Sequence, residues 1–151
     1  MPDSPIGKTR DAGWQLGVRR TYPLDLWPAW ECLLAPTGRA VWLGTDAPLD
    51  WSLKVPQILP HGLEIEFRVL KPGSHLRLQY FTASLARPSR LQIRVLPAKT
   101  GTTVAIHQEM LSTATERAQG LDHWKGVLHA LDPLFRNCQK DVQNPSKSNQ
   151  F

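Results

Sequence analysis

The widest apolar stripe in this chain lies near its C-terminal end. Apolar residues recur there three or four positions apart, at Leu121, Trp124, Leu128, Leu131 and Phe135. This is the period of an α-helix with one buried face. Just before the stripe, Thr113 and Glu116 have the T-x-x-E spacing of a capping box, which is typical of a helix start. The pattern predicts a helix over 113–135 that needs a broad apolar surface as its partner.

The segment before this helix alternates between apolar and polar residues, which is the period of β-strands. The alternation runs through four stretches, at 63–69, 76–80, 91–95 and 104–110. Turn signals separate them, with the sequence KPGS at 71–74 and KTG at 99–101. Four consecutive strands with short links predict an antiparallel meander with one apolar and one polar face. The apolar face would be covered by the C-terminal helix.

The first sixty residues add one strand and a helical pair. WQLGVRRT at 14–21 alternates as a strand does, and 26–34 and 37–43 have helical spacing. The stretch 44–60 is loop-like, with a short strand expected at 51–55. The order predicts an α+β fold, in which a curved antiparallel sheet of about six strands surrounds a long C-terminal helix. We expect a flexible tail at 1–13, a single domain at 14–138 and a disordered tail at 139–151.

Composition narrows the class of protein without defining its activity. The chain of 151 residues has a formal charge of +5, a modest excess that argues against nucleic-acid binding. It contains no apolar run long enough to insert into a membrane and no secretory signal, so we expect a cytoplasmic protein. Cys32 and Cys138 form no C-x-x-C motif and are expected as two unreactive free thiols.

Basic residues recur on the polar phase of the strands. Arg19, Arg68, Arg77 and Arg94 would share the outer face of the sheet. Carboxylates from Glu64, Glu66 and Glu109 fall on the same face. Opposite charges on neighbouring strands stabilise each other, so we expect mutual neutralisation.

Motifs for catalysis or metal binding are missing from the sequence. There is no G-x-S-x-G, no P-loop and no G-x-G-x-x-G. His107 and Glu109 form an H-x-E, but a zinc deaminase also needs a P-C-x-x-C, which the chain lacks. The other histidines have no ligand spacing such as H-E-x-x-H. No catalytic residue, metal site or cofactor is predicted.

The chain resembles the SRPBCC superfamily of START-like, helix-grip domains. The resemblance covers roughly residues 14–136, and within the superfamily it is closest to small bacterial proteins of the activator-of-Hsp90-ATPase-homologue type. It rests on GVRRTYPLDLWPAW at 17–30, WLG at 42–44, RVLKPGSHLRL at 68–78, RPSRLQIRV at 87–95, TTVAIHQEML at 102–111 and HWKGVLHALDPL at 123–134. It implies a hydrophobic cavity between the sheet and the C-terminal helix, in which such proteins bind apolar ligands. Some members are enzymes and others bind Hsp90.

In this chain we predict thirteen cavity residues. Eleven of them lie on the inward phases of the sheet and the C-terminal helix, and two tryptophans of the helical pair would close one end. The thirteen are Trp30, Trp42, Phe67, Leu78, Tyr80, Ile93, Ile106, Gln108, Met110, Trp124, Val127, Leu128 and Leu131. Tyr80 and Gln108 would be the polar groups that orient a ligand. The alternative is that all these side chains simply fill the core.

The leading hypothesis is a binding protein, without catalysis or cofactor, for an apolar or amphipathic, lipid-like molecule. A second hypothesis is an enzyme of the cyclase or hydrolase kind, using Tyr80, Gln108 and His123. A third, which the resemblance implies, is a protein that associates with an Hsp90 chaperone. Oligomeric state is not predicted.

Overall fold

A computed structural model describes residues 8–9 and 13–143, with side chains described over 13–138. The strands are β1 (Lys8–Thr9), β2 (Gly13–Tyr22), β3 (Gln57–Ile58), β4 (Glu64–Lys71), β5 (His75–Phe81), β6 (Ser89–Ala98) and β7 (Gly101–Leu111). The helices are α1 (Leu26–Leu34), α2 (Pro36–Trp42) and α3 (Ala114–Gln143), with a 3-10 turn at Pro60–Gly62. All strand pairs are antiparallel and form one sheet in the order β1-β2-β7-β6-β5-β4-β3.

This arrangement confirms the predicted α+β helix-grip architecture. The helical pair after the first long strand and the four-strand meander are present. The strand predicted at 51–55 is wrong, because that segment turns at Lys54, whose φ is 62°. The turn is held by the backbone N–H of Lys54, which donates to the Phe67 carbonyl at 2.8 Å. The short edge strand comes later, at Gln57–Ile58.

Helix α3 is longer than its apolar stripe predicts. It continues through Pro133 to Gln143, although a proline removes one backbone donor from the helix interior. Side chains on both sides of the proline hold the helix, since the Arg136 guanidinium donates to the Asp132 carboxylate at 3.0 Å and Phe135 is buried. The helix therefore extends into the segment 139–143, which the sequence assigns to a disordered tail. Residues 144–151 lie outside the described part of the chain.

The predicted N-terminal tail is also partly ordered. Lys8 and Thr9 pair with the start of β2, opposite Trp14 and Gly13. The rest of that tail, residues 1–7 and 10–12, lies outside the described residues. The sheet consequently has seven strands, where the sequence pattern predicts about six.

A β-bulge near the end of β7 changes which side chains face the helix. Gln108 lies opposite Leu16, but Leu111 lies opposite Trp14, so β7 has one extra residue. The extra residue is accommodated at Met110, whose backbone has a φ of 67°. Such a bulge reverses the inward and outward phase of the residues beyond it. The inward position predicted for Met110 is therefore wrong, and Leu111 is buried in its place.

The core forms where α3 lies directly on the inner face of the sheet. Its apolar stripe is buried, with Leu131 and Phe135 exposing 0% and 1% of their surface. The hydroxyl of Tyr22 on β2 donates to the Leu128 carbonyl in the middle of the helix. Phe135 packs edge-on against the Tyr22 ring, with ring centroids 4.7 Å apart. This part of the helix contacts the sheet without an intervening cavity between those rings.

A disulfide ties α1 to the C-terminal part of α3. Cys32 and Cys138 have Cα atoms 6.2 Å apart and close a loop across 106 residues of sequence. The expectation of two free thiols is therefore wrong. Sequence spacing gave no sign of the pair, because the two residues become neighbours only when α1 packs against α3.

We expect the double substitution Cys32→Ala with Cys138→Ala to lower the free energy of unfolding by about 2–5 kcal/mol. The reason is that a cross-link closing so long a loop restricts the unfolded chain more than the folded one. Urea unfolding of the oxidised protein, the same protein with reductant, and the double variant would measure it. Equal stability in all three samples would contradict a disulfide that contributes to the fold.

Candidate functional site

A pocket opens where the start of α3 faces the loop between β5 and β6. Its volume is about 280 Å³. The inner end is formed by Tyr80, Gln108 and Trp124, which expose 8%, 3% and 1% of their surface. The loop supplies Thr82, Ser84 and Leu85, and the helix supplies Glu116, Gln119, Gly120 and His123. The pocket thus combines an aromatic inner end with a polar rim.

A buried chain of hydrogen bonds fixes the inner end of the pocket. The Trp124 indole N–H donates to Gln108 Oε1 at 2.8 Å. Gln108 Nε2 donates to the Ser89 hydroxyl at 2.9 Å, and that hydroxyl donates to the Tyr80 carbonyl at 2.7 Å. Buried polar groups are costly unless they are paired, so this chain sets both the orientation of the Gln108 amide and the position of α3.

Tyr80 presents a neutral phenol to the pocket. Its ring lies 5.7 Å from the Trp124 ring, and together they form the apolar part of the lining. Burial raises the pKa of the Tyr80 hydroxyl to about 12. A group that keeps its proton at neutral pH can donate a hydrogen bond to a ligand oxygen, but it is a poor base.

His123 stands at the exposed edge of the pocket as an uncharged imidazole. Its ring meets the Trp124 ring edge-on, with centroids 4.6 Å apart. Desolvation on that side lowers the pKa of the His123 ring below its ordinary value. At neutral pH it offers one donor nitrogen and one acceptor nitrogen.

Glu116 joins the two walls of the pocket. Its Oε1 accepts from the backbone N–H of Ser112 at 2.7 Å, and its Oε2 accepts from the backbone N–H of Ala86 at 2.8 Å. The Glu116 N–H itself donates to the Thr113 hydroxyl at 3.1 Å, as the T-x-x-E motif predicts. The carboxylate that starts the helix therefore also anchors the β5–β6 loop. Both of its oxygens are occupied by structural hydrogen bonds.

Gly120 allows α3 to approach the sheet beside the pocket. A Cβ at this position would lie 2.6 Å from Leu16 Cδ2 and 3.4 Å from Gln108 Oε1. A larger residue would require the Leu16 side chain or the helix to shift. The glycine thus leaves room for a close helix–sheet contact next to an open pocket.

The thirteen residues nominated from the sequence fall into three groups. Tyr80, Gln108 and Trp124 line the pocket. Met110 lies in a hollow on the outer face of the sheet, beside Arg87. The other nine are buried in the core: Trp30, Trp42, Phe67, Leu78, Ile93, Ile106, Val127, Leu128 and Leu131.

Apart from His123, the rim of the pocket could not be recognised from the sequence. Thr82, Ser84 and Leu85 belong to a loop without periodicity, and Gln119 is an exposed position on α3. Glu116 belongs to the T-x-x-E capping box, but that motif predicts a helix start and not a pocket residue. The three polar residues of the enzyme hypothesis, Tyr80, Gln108 and His123, do come together in this pocket.

The histidines and acidic residues of the described ranges do not form a metal site. Over those residues, no three His, Cys, Asp or Glu side chains are grouped so that they could hold a metal ion. The H-x-E motif is divided between two partners, since His107 lies 3.1 Å from Gln15 Oε1 and Glu109 pairs with Arg90 at 2.7 Å. None of the helices within the described ranges is long and apolar enough to cross a membrane.

Comparison with known proteins identifies relatives by structure only. No protein-family model matches the chain, and no curated protein matches it. Among solved structures, CalU16 from Micromonospora echinospora has a TM-score of 0.70 at 14% identity, over 89% of this chain and 87% of that one. Protein MLL2253 from Mesorhizobium loti has a TM-score of 0.67 at 19% identity, over 82% of this chain and 97% of that one.

A third similar structure is a longer protein. DynU16, described as a protein in the dynemicin biosynthetic locus, has a TM-score of 0.65 at 16% identity. The match covers 85% of this chain but 47% of DynU16, so this chain spans about half of that protein's length. At these identities the similarity demonstrates a shared helix-grip fold. It does not carry a function from one protein to another.

We expect Gln108→Leu to destabilise the protein by about 2–4 kcal/mol, because it leaves the Trp124 indole N–H buried without its acceptor and removes the hydrogen bond that the Ser89 hydroxyl accepts. Gln79→Leu on the outer face, where the Gln79 amide accepts an exposed hydrogen bond from Arg68, is the matched control and should change stability by less than about 1 kcal/mol. Chemical denaturation of both variants would measure the difference. Equal effects would contradict a structural role for the buried chain.

The lowered pKa of His123 predicts a pH dependence of stability. Below its ordinary pKa of 6.5 the unfolded chain takes up a proton that the folded protein resists, so stability should fall as pH decreases through this range. His75, whose pKa is also lowered, contributes in the same direction. His123→Gln should therefore reduce the slope without abolishing it. An NMR titration of the His123 ring with a midpoint at or above 6.5 would contradict the prediction.

Proposed function

We propose that this protein binds a small molecule with an apolar body and one polar group in the pocket between α3 and the β5–β6 loop. The observation that carries the proposal is the pocket's composition. Its inner end is made by the rings of Tyr80 and Trp124, and polar groups stand around it at fixed positions. Ligand sites in proteins typically combine an apolar lining with a few oriented polar groups.

The pocket's size and chemistry describe the ligand. At about 280 Å³ it lies near the lower end of the range for small-molecule sites, which favours a single ring or a short chain. Burial of apolar ligand surface would contribute about 25 cal/mol per Å². The Tyr80 hydroxyl and the neutral His123 ring favour an uncharged oxygen or nitrogen on the ligand over a free charge.

The fold supports a binding function of this kind. Helix-grip proteins typically hold hydrophobic ligands between sheet and helix, and one similar structure, DynU16, is described by its place in the dynemicin biosynthetic locus. As part of this proposal, the resemblance to proteins of the activator-of-Hsp90-ATPase-homologue type implies an Hsp90 chaperone as a partner. Association with an Hsp90 chaperone would be checked by co-purification with that chaperone from the protein's own host.

A second candidate function is acid–base catalysis on the bound molecule. The observation that favours it is the convergence of Tyr80, Gln108 and His123 on one pocket. His123, uncharged at neutral pH, could accept a proton, and the Tyr80 hydroxyl could stabilise a developing negative charge. Against it, the Gln108 amide and the Glu116 carboxylate are held by structural hydrogen bonds.

We expect Gln119→Trp, at the pocket mouth, to weaken binding of a displaceable apolar dye at least tenfold by obstructing entry. His129→Trp, exposed on the same helix and away from the pocket lining, is the control and should bind the dye as the unmodified protein does. Dye titration should be paired with native mass spectrometry of protein purified from its host. No saturable dye binding, or equal loss in both variants, would contradict the proposal.

His123→Gln separates the two candidate functions. For a binding protein we expect the affinity for the molecule recovered from the host to change less than about tenfold, because one hydrogen bond to a neutral group contributes about 0.5–1.5 kcal/mol. For an enzyme, turnover of that molecule should fall by about a hundredfold or more while binding persists. Mass spectrometry of the bound species before and after incubation distinguishes the outcomes. An unchanged molecule in the unmodified protein would exclude its catalytic conversion.

A further inference from the structure

The outer face of the sheet carries a row of basic residues across four of five adjacent strands. Backbone pairing aligns Arg19 on β2 with Ala105 on β7, and Ala105 with Arg94 on β6. The same row continues to His75 on β5 and Lys71 on β4. Neighbouring strands are about 4.8 Å apart, so successive members of this row are close neighbours.

The carboxylates on this face do not neutralise the row. Glu66 pairs with Arg68, and Glu109 pairs with Arg90, both nearer the loop that precedes β6. Arg19 and Arg94 have no carboxylate partner among the described residues. The predicted neutralisation of the outer face is therefore correct for Arg68 but wrong for these two arginines.

Arg77 adds a third unneutralised guanidinium beside the row. It donates to the neutral Gln92 Oε1 at 2.8 Å. Arg94, Arg77 and Lys71 together contribute to the lowered pKa of His75, after the larger effect of its partial burial. Arg19, Arg94 and Arg77 thus give this part of the outer face an excess of positive charge that no carboxylate among the described residues pairs with.

Arg19 and Arg94 flank a hollow on this face. A space of about 410 Å³ lies over Gly17 and Ala105, whose small size leaves the middle of the face open. Arg19 and Arg94 stand on opposite sides of it, and Gln92 and His107 provide polar groups at its edge. No acidic residue lines this hollow. Arg19 and Arg94 are two strand spacings apart, about 10 Å between backbones, which leaves room for an anion between two guanidinium groups.

We propose that this hollow binds a phosphate group, carried either by a small soluble molecule or by a lipid headgroup. Guanidinium groups bind phosphate oxygens by paired hydrogen bonds, and two of them facing each other suit a doubly charged tetrahedral anion better than a single carboxylate. This site lies on the opposite face of the sheet from the Tyr80 pocket. It does not depend on the function proposed for that pocket.

The test is titration of the full chain with sodium phosphate at low ionic strength, followed by backbone amide shifts of Gly17, Ala105 and His107. We expect saturable shifts at these residues. Arg94→Gln should weaken binding at least about tenfold, because a charged hydrogen bond contributes about 1.5–3 kcal/mol. Lys125→Gln, which removes one positive charge from an exposed position on α3, is the matched control and should bind phosphate unchanged.

Ala105→Leu tests the hollow itself without changing charge. It should also weaken phosphate binding at least about tenfold by occupying the space between the arginines. If this variant fails to fold, Arg19→Gln replaces it with the same expectation.

Vesicles of phosphatidylcholine with and without phosphatidic acid separate the two sources of phosphate. Arg94-dependent binding to the acidic vesicles without saturable phosphate shifts would assign the lipid headgroup, and saturable shifts without vesicle binding would assign a soluble ligand. The proposal is overturned if neither probe binds. It is also overturned if Lys125→Gln weakens binding as much as Arg94→Gln, or if filling the hollow has no effect.

Discussion

The hydrogen bond from the Trp124 indole to the Gln108 amide is the contact on which the candidate site depends. Both side chains are almost fully buried, so neither could find water if the helix moved relative to the sheet. The bond therefore fixes one position of α3 along β7. That position brings Gly120 against Leu16 and places His123 at the edge of the pocket. The pocket forms because α3 lies close to the sheet at this hydrogen bond, whereas the β5–β6 loop beside it stands further from the helix.

Two further constraints hold the ends of the same helix. At its start, Glu116 binds backbone N–H groups on both Ser112 and Ala86, which joins the helix to the β5–β6 loop. Towards its other end, the disulfide between Cys138 and Cys32 joins it to α1. Between them the apolar stripe is packed against the sheet. The candidate ligand site lies beside the restrained helix, where the loop supplies one wall.

The periodicity of the chain was sufficient to predict most of the fold. Helix α1 and the four meander strands follow directly from apolar spacing, because each has one face in the core. The bulge at Met110 could not be predicted this way, since a single residue with a positive φ reverses the pattern without altering the composition. The Cys32–Cys138 bond was missed because it depends on tertiary packing. Tyr80, Gln108 and Trp124 were nominated, but the same pattern nominated nine core residues that do not line the pocket, since inward phase does not distinguish filled from open space.

The central claim is that the Tyr80 pocket binds a small, largely apolar molecule. The most direct test is an NMR measurement of contacts between a bound apolar probe and assigned protons of the protein. We expect nuclear Overhauser effects from the probe to the rings of Tyr80, His123 and Trp124 at one equivalent. Contacts confined to exposed apolar residues elsewhere, such as Trp27 or Ile58, would contradict it.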